Sequence, residues 1–249
     1  MTDIVSVLNL INYGFVLIFG IIVSFYFAGI QWEDNKRLFI LTTVLFVLFQ
    51  ALFYVLLGEN VLFKCYPVLI HIPLILIIRY ICHQNIYISF IAVMSAYLMC
   101  TPRKWFGTLA KYIFPEIPVI SDVVTIVITI PLLIVVIKYI SPYIIKLKEE
   151  SKNIISMFFL LPLTYYILEY ALTVYTNLLY TGKAVIIEFM DSFIVVLYFF
   201  LSIMTLSMSN KKIQQSVKTS YFPQLQLRLK KKYLSLQIIR NRPRYTDMT

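Results

Sequence analysis

The chain has 249 residues, 60% of them hydrophobic and 14% charged, with a mean hydropathy of +0.83 and a formal net charge of +10. These values exclude an ordinary soluble domain and point to a polytopic helical membrane protein. The apolar runs are long and continuous rather than alternating, which excludes a barrel and leaves helices to satisfy the backbone in lipid.

Seven segments are long enough to cross a bilayer at a rise of about 1.5 Å per residue. They lie near residues 5–30, 38–57, 65–81, 86–100, 119–140, 154–176 and 185–208. The first begins in MTDIVSVLNL, which has neither a basic start nor an A-x-A cleavage signal, so it reads as a retained span. A polar patch, QWEDNKR at 31–37, follows it. Spans three and four are separated only by Cys82, His83, Gln84 and Asn85. After span four, TPRKWFGTLAKYIFPEIP at 101–118 is amphipathic and ends in prolines; the expectation is a segment lying in the interface, with Trp105 as its anchor. KLKEESKN at 146–153 separates spans five and six. Pro67, Pro73 and Pro162 should bend the third and sixth spans. The expected organisation is a membrane domain over 1–212 and a basic cytoplasmic tail over 213–249.

Lysine and arginine counts set the orientation. With the N-terminus outside and the C-terminus inside, Lys36, Arg37, Arg79, Lys138, Lys146, Lys148, Lys152 and the 10 basic residues after Met208 fall inside, 17 in all. Lys64, Arg103, Lys104, Lys111 and Lys183 fall outside, a minority of 5. The basic tail fits attraction to anionic headgroups, and no recognition motif accompanies it that would suggest nucleic acid. The expected location is the cell membrane, as a multi-pass protein whose immediate partner is the lipid bilayer.

Several chemistries find no footing. Cys65, Cys82 and Cys100 have no C-x-x-C spacing, and two histidines without neighbouring carboxylates at ligand spacing indicate no metal. Six glycines, none after Gly182, offer no phosphate-binding loop, so no cofactor is expected. His71 and Cys82 are 11 residues apart, three helical turns or about 16 Å, so a thiol-protease pair would need a partner from another span. No catalytic residue is assigned.

Glu169 is the only acidic residue set deep in an apolar run. A carboxylate near the bilayer centre costs roughly 2.5–3.5 kcal/mol on insertion scales, so it should face protein or water. Tyr166, Glu169, Thr173 and Thr176 follow steps of three, four and three and form one helical stripe, the expected inward face of the bundle. Structural hydrogen bonding with Tyr165, Tyr166 and Tyr170, a proton relay and a ligand counter-charge are all open roles for it. Glu188 and Asp191 form a charged rim at the outer mouth of the seventh span. Tyr166, Glu169, Tyr170, Thr173, Thr176, Glu188 and Asp191 are the candidate ligand-sensing residues.

The stretch LPLTYYILEYALTVYTNLLYTGKAVIIEF, with CTPRKWFGTLAKY at 100–112, resembles the membrane sensor half of Gram-positive GHKL-type sensor histidine kinases, a group that includes peptide-pheromone receptors. The family usually carries Asp where this chain has Glu169. The resemblance covers residues 1 to about 212. It implies an all-α sensor that binds an extracellular signal such as a small peptide and relays it through a cytoplasmic dimer helix, hence a homodimer. In such kinases a phosphoacceptor histidine and an ATP-binding domain follow the last span. The tail after Gln215 has neither a histidine nor a glycine. Read one base out of frame, Arg244–Thr249 permits Leu-Tyr-Arg-His-Asp, similar to the family's phosphoacceptor box. The expectation is a frameshift near 215–220 that removed the kinase, leaving a sensing domain that is not an enzyme. The competing readings are a small transporter and a membrane thiol protease.

Overall fold

A computed structural model describes residues 2–117, 119–149 and 152–170, together with isolated positions from Val196 onward. The chain divides into two units, Met1–Ile203 and Met204–Thr249; all the helices described below belong to the first. Among the described residues the structure is helical and contains no strand.

Helix α1 runs over Thr2–Phe27 and α2 over Trp32–Leu57. Gly29 turns the chain between them at φ 73°. The polar patch after the first span is largely helical, because α2 starts at Trp32 with Glu33 and Asp34 in its first turn, where carboxylates suit the helix dipole. A kink at Asn35 (φ −129°, ψ 30°) marks where the patch joins the apolar run. Phe39, Thr42, Phe46 and Gln50 are the buried face of α2. Phe39 holds the hairpin together, with its ring 4.7 Å from that of Phe25 and 5.4 Å from that of Trp32.

The third span is built of short pieces: α3 (Glu59–Tyr66), a π-helical turn over Pro67–His71, α4 (Ile72–Leu76) and a second π turn over Ile77–Ile81. Pro73 has no N–H to give the carbonyl of Leu69, which accounts for the wide turn before it. The helix then breaks at Cys82–Asn85, as the sequence indicates. Asn85 restarts it by accepting from the Tyr87 N–H at 3.0 Å.

Helix α5 spans Ile86–Ile113 as one 28-residue rod, about 42 Å long. This corrects the expectation of a span ending near residue 100 followed by an interfacial segment. Pro102 is accommodated inside the helix, and Thr101, Arg103, Gly107 and Ala110 are buried. The polar stripe that reads as a membrane-surface face instead meets α1 and α6. Trp105 is half-buried and its indole N–H is enclosed, with no acceptor among the described residues.

Helix α6 (Ile120–Val135) passes through a π turn at Val136–Ile140, ahead of Pro142, into α7 (Ser141–Lys146). Helix α8 covers Lys152–Tyr170 and carries Pro162 in its interior. Among the described residues five helical runs are long and apolar enough to cross a membrane: Val7–Phe27, Trp32–Leu57, Lys64–Ile81, Ile86–Ile113 and Ile120–Lys146. Helix α5 is the axis of the bundle: 72% of its apolar window is buried, against 17–28% for the other four. It packs on α1, α4, α6 and α8.

Candidate functional site

Three polar clusters hold these helices together, each at a different level of the bundle. The first surrounds His71, which the wide turn after Pro67 directs inward; it is 7% exposed. Its Nδ1 lies 2.7 Å from the Tyr166 hydroxyl of α8. The rings of Tyr66, Tyr97 and Tyr166 meet the imidazole edge-on at 5.2–5.4 Å, and Tyr97 and Tyr166 meet each other at 4.8 Å. Beside them Leu17, Gly20 and Ser24 of α1 help to line a cavity of about 50 Å³. That is room for a few waters, and well short of the several hundred Å³ of a drug-sized ligand pocket. One residue before Tyr166, the Tyr165 hydroxyl lies 2.9 Å from Thr101 of α5. Two adjacent tyrosines therefore fasten α8 to two different helices.

The second cluster is centred on Arg103, the largest fully buried side chain among the described residues, at 1% exposure. Its Nε donates to Thr129 of α6 at 2.7 Å and its Nη2 to Asn12 of α1 at 2.9 Å. Asn12 donates in turn to Asp122 at 3.2 Å. Asn9, with its amide oriented to suit, donates to the same carboxylate at 3.2 Å. Thr129 and Thr125 return their hydroxyls to the carbonyls one turn back, Thr125 and Ser121. Gly107 lets α5 and α6 approach this closely, since a Cβ there would strike Thr125 Oγ1 and sit 3.0 Å from the Ser121 carbonyl oxygen.

The third cluster lies at the opposite end of α1. Lys148 donates to the Ala28 carbonyl, just past the end of α1, and to Gln84 Oε1 at 2.7 Å. Arg79 donates to the Gln84 carbonyl at 2.9 Å, and Ser141 to the Tyr26 carbonyl at 3.1 Å. Burial holds the Lys148 ammonium below the usual lysine range and pushes the nearby Cys82 thiol up. Gly29 is required here twice over, by its positive φ and because a Cβ would come 2.7 Å from Lys148 Nζ.

Of the candidate sensing residues, Tyr166 is buried, as is its neighbour Tyr165. Glu169 and Tyr170 belong to the last turn of α8, but their side chains lie outside the described residues, as do Thr173, Thr176, Glu188 and Asp191 altogether. His71 and Cys82 are not brought together: the imidazole engages Tyr166, and among the described residues no hydrogen bond joins the Cys82 thiol to either histidine. Sequence reasoning gave Arg103 no role in the bundle. The available signal was the spacing of Thr101, Arg103, Gly107 and Ala110 on the buried side of a long helix. Among the described residues no group of three or more His, Cys, Asp or Glu could hold a metal ion. Compared with protein families, with curated proteins and with solved structures, the chain matches none.

Proposed function

We propose that the chain is the signal-sensing membrane domain of a GHKL-type sensor histidine kinase. It sits in the cell membrane with seven spans, N-terminus out and C-terminus in. The observation that carries this reading is the pairing of the two stretches with family resemblance. Thr101, in the first of them, meets Tyr165, in the second, at 2.9 Å. The next residue, Tyr166, engages His71, and Glu169 follows one turn on. A signal bound among the outer ends of the spans shifts α8 against α5 and α4. In an intact relative the seventh span transmits that shift to a cytoplasmic dimer, biasing a two-state equilibrium.

The orientation draws support from the third cluster. The connections at 28–31, 82–85 and 147–149 meet at one end of the bundle, the end to which the positive-inside count assigns Arg79, Lys146 and Lys148. Two experiments test the reading. Sequencing the locus through and beyond codon 205 should reveal a kinase frame accompanying this sensor; finding none overturns the kinase assignment. The purified chain, incubated with labelled ATP, should neither hydrolyse it nor retain phosphate; a retained label overturns the assignment as a non-enzyme.

A transporter is the second reading, favoured by the two π turns that interrupt the third span. Internal repeat symmetry is not seen in the sequence, which counts against it. Substrate accumulation in proteoliposomes that requires this chain would decide for the transporter.

A further inference from the structure

The second cluster has an unbalanced charge at its centre. A guanidinium offers five N–H donors. In Arg103, Nε goes to a hydroxyl and one Nη2 hydrogen to an amide oxygen, both neutral acceptors. For the remaining donors the described residues supply no acceptor, and among them Arg103 makes no ion pair. Asp122 does not touch it; the carboxylate is reached through Asn12 and is itself engaged by Asn9 and Asn12. Phe19, whose ring centroid is 5.9 Å from the guanidinium carbon, closes one side with its π face. A cation this enclosed is costly without a directly bound negative group.

The site is also reachable. Asp122 is in the first turn of α6, so the cluster lies just beneath the end of the bundle opposite Lys148. Asn9, Asn12, Ser121 and Asp122 are only half-buried, and they form a polar path from that end down to the buried Arg103.

We propose that Arg103 is the floor of a binding site for a small monovalent anion, with Thr129 and Asn12 fixing the guanidinium and Asp122 moderating its affinity. The ligand chemistry is that of a carboxylate or a halide: a compact group with one negative charge that accepts the free donors of a planar guanidinium. A free carboxylate on an extracellular ligand and inorganic chloride share that chemistry. The proposal does not depend on the sensor reading, since an anion site of this kind would serve a transporter equally.

The test uses the full chain in a neutral detergent or in nanodiscs, with ionic strength held constant by a bulky sulfonate buffer. Thermal unfolding is followed while chloride, acetate or N-acetylglycine replaces the buffer anion, with N-acetylglycinamide as the uncharged control. Binding to the folded state raises the midpoint with anion concentration. The wild-type chain should gain several degrees and saturate. Lys104→Met should behave like wild type. Arg103→Met should lose the dependence. Asp122→Asn, which removes the moderating negative charge, should shift the half-saturating concentration several-fold lower.

The Asp122→Asn arm stands even if Arg103→Met fails to fold. A response to chloride alone identifies an inorganic counter-ion; a response to acetate and N-acetylglycine identifies a carboxylate subsite. A flat response in both wild type and Asp122→Asn overturns the proposal, because the guanidinium is then neutralised by a carboxylate of the chain itself. A response in wild type that Arg103→Met retains unchanged overturns it too.

Discussion

Replacing Tyr166 with Phe removes one oxygen atom from the centre of the bundle and tests whether α8 is held by the His71 contact. The hydroxyl lies 2.7 Å from Nδ1 of an imidazole that is 7% exposed, so its removal leaves a buried ring nitrogen without this partner. An orphaned buried group costs about 1–3 kcal/mol, while hydrogen bonds measured between membrane helices average about 0.6 and reach about 1.7 kcal/mol. Short distance and full enclosure place this one near the upper end, about 1.5 kcal/mol, or roughly a tenfold change in the unfolding equilibrium.

His71→Phe keeps a ring against Tyr66 and Tyr97 while removing both nitrogens. The double variant then has two apolar partners and no orphan, so its cost should fall below the sum of the single costs by about 1 kcal/mol. Equilibrium unfolding in bicelles or mixed micelles supplies all four corners of the cycle. Costs that add to within about 0.4 kcal/mol would refute the argument that this contact fastens α8.

Gly107→Ala should destabilise the bundle by about 1–3 kcal/mol, because the new methyl meets the Ser121 carbonyl as well as a movable hydroxyl; unfolding of the purified variant checks it. Lys148→Met should cost about 1–2 kcal/mol by leaving the Ala28 carbonyl and Gln84 without their donor, and Gly29→Ala at least as much; proteolysis at the 28–31 turn should report both. In a Cys65→Ala, Cys100→Ala background, alkylation of Cys82 should keep accelerating past the pH at which a free thiol levels off, since burial raises its pKa. Lys148→Met removes the one cation opposing that shift and should slow labelling further at any given alkaline pH. An impermeant maleimide should reach Cys82 only from the cytoplasmic side and Cys65 only from outside; the reverse pattern inverts the orientation.

Most of the helical layout was legible because burial in lipid needs little more than length and apolarity. The break at Cys82–Asn85 was visible as polar residues, whereas the chain turns at Gly29, just ahead of the polar patch at 31–37, most of which is helical. What the sequence hid was the partner of each polar face. A stripe containing Arg103 and Gly107 looks the same whether it meets headgroups or another helix. Here Thr125, Thr129 and Asn12, distant in the chain, decide the matter. The same holds for His71: its own span gives no hint of Tyr166, and Pro67 and Pro73 reposition its face by widening the turns. Charge counting assigned Arg103 to a connecting segment and gave no sign of its depth in the bundle.

Lys148 ties the far ends of three hairpin legs into a single knot, while toward the other end the legs meet through half-buried polar groups around Asp122. One ammonium thereby couples connections that lie far apart in the chain, so its loss acts on all of them at once.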